Sequence, residues 1–215
     1  MTAHAQALKT KLKAQEGRHA EPARIRIHRA ISWLGRAEAE GSDLDARFVF
    51  LWIAFNAAYA QEFGHEATQR EQLRAFFARL LAVDATRRLH GVLFDRYSGP
   101  VRVLIDNRFV FEPFWRALRE HDGSGSWERA FEAGKKAALR AVVTQDTQTV
   151  LGIVFDRLYV LRNQLVHGGA TWNSKVNRDQ VRDGANLLHS LVPVVIDCML
   201  EHPELDFGGI AYPVV

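Results

Sequence analysis

Along this chain apolar residues recur at intervals of three and four, and almost nowhere in strict alternation, which is the period of helices rather than strands. In residues 22–40, PARIRIHRAISWLGRAEAE, the residues Ile27, Ile31 and Leu34 share one face while arginines and glutamates occupy the other. EGSD (40–43) interrupts the pattern, with Gly41 suited to close the first helix and Ser42 to cap the next. Residues 43–63 make the most apolar stretch, and Phe48, Trp52, Phe55 and Tyr59 recur there at helical spacing, so this helix is expected at the centre of the core. A third amphipathic pattern covers 67–84.

The middle of the chain is more broken. VRVLI (101–105) has the composition of a strand but no neighbouring segment to pair with, and short helices around the breaker SGP (98–100) are the expectation. Pro113 suits the first turn of a helix, and HDGSGS (121–126) is a loop. Further helices are expected over 127–145, over 146–167 with Asp146 or Thr147 as cap, and over 178–202 with a kink at Pro193. The fold class is therefore all-α, a helical bundle with inserted short helices, with Trp52, Phe55, Leu158 and Leu165 expected to be buried. Residues 1–22 read as a basic arm or helix extension, 23–203 as one helical domain, and 204–215 as a tail along the surface.

Composition bounds the chemistry. With 215 residues, 47% of them hydrophobic and 25% charged, the chain has a globular composition and enough length for one core. No uninterrupted apolar run reaches the roughly 20 residues of a bilayer span. The basic start lacks the apolar region of a secretory signal, so a cytoplasmic location without membrane partners is expected. The single cysteine, Cys198 in VVIDCML, rules out an intramolecular disulfide framework and reads as a buried thiol.

Charge is unevenly placed. Residues 1–36 hold eight Lys or Arg against Glu16 and Glu21, although the whole chain is only +3. Lys9, Lys11, Lys13 and Arg18 are thus candidate RNA contacts, the alternative being a solvated helix face.

Several chemistries lack their residues. GSGSW (123–127) has neither the lysine nor the preceding strand of a phosphate-binding loop, and His65-Glu66 has no second histidine one turn on. The nine histidines are scattered without a ligand spacing, so the expectation is no metal and no cofactor. No Gly-x-Ser-x-Gly elbow occurs.

One stretch stands apart. DRLYVLRNQLVHGG (156–169) carries Arg162, Asn163 and His167 at the end of a core-forming helix, followed at once by two glycines. Arg162 and His167 are rotated by about 140° from one another on an ideal helix, and a glycine pair would free that helix end to unwind. A histidine in the last turn, beside the partial negative charge of the helix end, suits proton transfer near neutral pH. From spacing alone, the plain task of capping accounts for it as well.

RNQLVH resembles the Arg-x(4–6)-His signature of the HEPN superfamily, with Asn163 as the polar residue that usually follows the arginine. FVFLWIAFNAAY (48–59) is similar to helices of HEPN proteins from bacterial defence and abortive-infection systems, and the resemblance extends over residues 24–202. It implies a HEPN-type helical bundle and a metal-independent endoribonuclease acting at a cleft between two copies of the chain. Arg162 would hold the scissile phosphate, His167 would serve as general base or acid, and Asn163 would orient the site. Asn56, a lone amide in an apolar helix, would reach the same cleft, the alternative being a satisfied core amide. RNA, a second copy of the chain, and a protein partner such as an antitoxin are the implied partners. An inactive HEPN module that only binds RNA or protein is the alternative. Some toxin members carry a tyrosine two residues after the histidine for modification by a partner enzyme; Gly169 stands there, so that control is not implied.

Overall fold

A computed structural model describes residues 4–60, 69–210 and 212. Among them lie ten α-helices and no strand, so the chain is all-α. The expected continuation of the second predicted helix to Phe63, the pair His65-Glu66, and tail residues 211 and 213–215 fall outside the described residues. The chain divides into two compact units, Met1–Leu89 with Trp172–Val215, and His90–Thr171.

The first unit is built from α1 (His4–Ala14), α2 (Glu21–Glu38), α3 (Leu44–Tyr59), α4 (Gln69–Val83) and α10 (Arg178–Glu201). Ile27, Ile31 and Leu34 are buried as their spacing requires, and α3 packs against both α2 and α10. Because α3 is apolar nearly all round, it can be covered on several sides. Phe48, Trp52, Phe55 and Tyr59 are buried, and Phe55 meets Phe76 and Phe77 of α4 at ring separations of 6.2 and 5.9 Å. Phe207 of the tail joins this cluster 5.7 Å from Phe76, so the tail contributes to the core rather than only skirting the surface. Gly41 adopts a φ of +58°, but the cap of α3 is Asp43 and not Ser42: its carboxylate accepts the Ala46 N–H at 3.0 Å. Two positions further, in the first turn, Asp45 takes a two-pronged bond from Arg178 at 2.8 Å on each oxygen, which ties the start of α10 to the start of α3.

Arg26 is the least expected member of this core. It belongs to the basic leading segment by sequence, yet it is only 1% exposed. Its guanidinium donates to the carbonyls of Ala58 and Ala60 just past α3, and to those of Phe207, Gly208 and Gly209 in the tail. A buried cation survives only with such compensation. Burial still pulls its pKa down to about 10, with Asp206 acting in the opposite sense, so it remains charged at neutral pH.

The second unit contains α6 (Ser98–Ile105), α7 (Glu112–Arg119), α8 (Ser126–Val143) and α9 (Thr147–Val166), with a π-helical turn at Val92–Arg96 and a 3-10 turn at Arg108–Val110. The short helix α5 (Arg88–Gly91) carries the chain into it. VRVLI is helical, as the lack of a partner strand predicts, and Pro113 sits in the first turn of α7. α9 packs against α6 and α8 and buries Val150, Leu151, Val154, Phe155, Leu158 and Leu161. Leu165 departs from expectation. It is only half-buried, because the packed face of α9 ends at Leu161.

Candidate functional site

Every residue of the Arg-Asn-His stretch is set by α9. The helix begins where the sequence says it should: Asp146 caps it, accepting the Thr149 N–H at 3.0 Å and the Thr149 hydroxyl at 2.8 Å. Its apolar face then anchors it as far as Leu161. The next residues emerge from the core, and Arg162 and Asn163 are both half-buried. Arg162 Nη1 donates to Asn163 Oδ1 at 3.0 Å, so the amide fixes one edge of the guanidinium. Arg162 Nε is buried without a hydrogen-bond partner. Gln164 points elsewhere, donating from Nε2 to the Phe109 carbonyl at 2.7 Å, an acceptor it shares with the Trp115 indole at 2.8 Å.

His167 is the terminal cap residue and is exposed. Its backbone N–H still bonds the Asn163 carbonyl at 3.0 Å, so the helix is intact up to this point. The glycine pair does not unwind it. Gly168 takes a φ of +70°, which allows the chain to reverse, and Ala170 N–H returns to the Gln164 carbonyl at 3.0 Å. A Cβ on Gly169 would stand 3.3 Å from that same carbonyl oxygen. Both glycines therefore wind the end tightly, and Arg162 and His167 keep the divergence of about 140° that a regular helix imposes. A single copy does not converge them on one point.

Around them the surface is partly apolar. Tyr159 and Val166, which lie on the same side of α9 as Arg162 and Asn163, are 37% and 47% exposed. Arg162 and Asn163 are thus bordered by exposed apolar side chains.

The remaining sequence candidates separate. Lys9, Lys13 and Arg18 are exposed. Lys11 is engaged: its Nζ donates to Asp197 at 2.5 Å and to Glu201 at 2.9 Å. Arg88 binds the same two carboxylates at 2.5 and 2.6 Å, while its backbone N–H and that of Leu89 are held by the buried Asp84. Asn56 is exposed on α3, which answers against a satisfied core amide, and it belongs to the first unit whereas α9 belongs to the second. Cys198 is fully buried, and burial pushes its thiol up to about 11.

Sequence spacing did not single out His4, Glu38 and His189, which come together in the first unit with one ligand atom of each within 4.8 Å of the others. They are 34 and 151 positions apart along the chain, so no local motif could have signalled them. Among the described residues one helix, α10, is long and apolar enough to cross a membrane by length and composition, with 67% of its most apolar window buried inside the structure.

Comparison of the chain with protein-family models, with curated proteins and with solved structures gives no match.

Proposed function

We propose that this chain is a HEPN-type, metal-independent endoribonuclease that acts as a homodimer on RNA in the cytoplasm, as a defence or toxin component. The observation that carries the proposal is the end of α9, where a guanidinium oriented by Asn163 lies five residues before an exposed imidazole. These are the two functional groups that RNA cleavage without a metal requires: a cation for the phosphate and a proton carrier.

In this reading Arg162 binds the non-bridging oxygens of the scissile phosphate. His167 of one copy takes the proton of the ribose 2′-OH as the 2′-oxygen attacks phosphorus. The bond from phosphorus to the 5′-oxygen breaks, and His167 of the second copy supplies that oxygen with a proton. Two copies also answer the divergence of Arg162 and His167 on one helix, because groups that face apart in one chain can meet across an interface. The exposed Tyr159 and Val166 provide apolar surface for that contact.

A second reading is an inactive module of the same type that binds RNA or a protein partner. Its protein-binding form is favoured by Lys11, whose charge is consumed within the fold and so is withdrawn from the basic arm.

Purified protein incubated with total RNA in EDTA, beside a His167→Ala control, separates the two. Catalysis yields 2′,3′-cyclic phosphate and 5′-hydroxyl ends with the wild-type chain alone. RNA left intact by a folded wild-type protein would assign it to the second reading.

A further inference from the structure

We propose that His4, Glu38 and His189 form a binding site for a divalent transition metal of the Zn²⁺ class, which clasps α1 to α2 and α10. All three lie in the first unit, each on a different helix: His4 opens α1, Glu38 closes α2, and His189 lies midway along α10. One ligand atom of each falls within 4.8 Å of the other two.

The carboxylate is already positioned. Glu38 Oε1 accepts the His4 N–H at 2.8 Å and Oε2 accepts the Ala5 N–H at 3.2 Å. These bonds cap the start of α1, and they use one lone pair on each oxygen, leaving another for a metal. Capping needs no imidazole. Yet the rings of His4 and His189 meet edge to face above it, 5.4 Å apart between centroids at 69°. His189 Nε2 stands 3.9 Å from Glu38 Oε1, too far for a direct hydrogen bond. Two donors that each bind one tetrahedral Zn²⁺ at about 2.0–2.1 Å stand roughly 3.3–3.4 Å apart. The observed gap is thus nearer to that of donors bridged by an ion than to that of a bonded pair. His4 is exposed and can close the remaining distance by rotation, whereas Glu38 and His189 are only 11% and 16% exposed in their side chains.

Imidazoles bind such an ion through a ring lone pair, and the Arg47 guanidinium acts on His189 from its own side. Arg47 opposes a second cation, and the Glu38 charge offsets it. Two imidazoles and one carboxylate are a donor set suited to Zn²⁺, and they leave the fourth position to water. The site lies apart from Arg162 and His167 in the chain's division into units, and its test reads binding and stability rather than RNA cleavage.

The full-length chain, stripped of metal and dialysed free of chelator, is titrated with Zn²⁺ by calorimetry, and Co²⁺ is added separately for its visible absorption. The expected result is one Zn²⁺ per chain, Co²⁺ bands of a low-coordinate N/O site, and a Zn²⁺-dependent rise in Tm. His189→Ala and Glu38→Gln should each weaken binding about 100-fold or more, since even outer partners of metal ligands are worth about 10–100-fold. His4→Ala, at an exposed position that the core does not need, gives the same loss in a chain whose circular dichroism stays native. His121→Ala, at an exposed histidine outside the cluster, leaves binding unchanged. A folded wild-type chain that takes up no stoichiometric Zn²⁺, or uptake that survives His4→Ala and His189→Ala, overturns the site.

Discussion

Lys11 Nζ lies 2.5 Å from Asp197 Oδ1, joining the first helix of the chain to the last across 186 positions. Glu201 and Arg88 complete the cluster, so a residue that reads as part of a basic arm is a fastener of the bundle. The cations of α1 and the turn after it therefore divide by role.

That division is testable by substitution. Lys11→Ala should cost about 1 kcal/mol of stability, since its pair is only partly sheltered from water, and should barely move RNA affinity. Lys9→Ala, Lys13→Ala and Arg18→Ala together should leave stability within about 0.5 kcal/mol while weakening RNA binding and flattening its salt dependence. Urea denaturation beside binding measured over a salt series reads both effects. An unchanged salt slope in the triple variant would return these residues to plain solvated surface.

Arg26 should be among the most costly residues to replace. Arg26→Met keeps volume but leaves the carbonyls of Ala58, Phe207, Gly208 and Gly209 short of their buried donor. A loss of about 3 kcal/mol or more is expected, with the tail around Phe207 becoming sensitive to protease. Arg26→Lys should rescue only a small part, because an ammonium cannot span the same spread of acceptors. Chemical denaturation with limited proteolysis checks both.

Cys198 should behave as an inert thiol. It is fully buried, and its pKa is raised to about 11, above the usual thiol range. Reaction proceeds through the thiolate, so the native chain should resist a thiol reagent from pH 7 through pH 9 and react only on unfolding. Stoichiometric labelling of native protein at pH 8 within minutes would contradict the burial.

For the proposed ribonuclease, the two motif residues should fail differently. His167→Ala should abolish turnover while RNA binding stays within a few-fold, because an exposed imidazole serves proton transfer more than ground-state binding. Arg162→Ala should weaken both, since a guanidinium contacts the phosphate before and during transfer. A substrate with 2′-deoxyribose at the scissile position should resist cleavage. Single-turnover kinetics with filter binding distinguish these outcomes, and cleavage that persists in His167→Ala would remove this motif from the mechanism.

What the sequence by itself determined is the helical architecture. Periodicity, a capping aspartate at Asp146 and a proline at Pro113 act over one or two turns, so they can be read locally. The burial of Trp52, Phe55 and Leu158 follows from the same period. Leu165 shows its limit, because an apolar stripe says that a face wants cover and not how far along the helix the cover extends. The Arg-Asn-His stretch was legible because its members are neighbours on one helix. Tertiary structure alone decided that Arg26 is interior, that Lys11 is paired, that Asn56 is exposed, and that His4, Glu38 and His189 meet. The physical reason is common to all four. The partner of a long polar side chain is chosen by which helices pack together, and residues far apart in the chain become neighbours only when the apolar faces between them have closed.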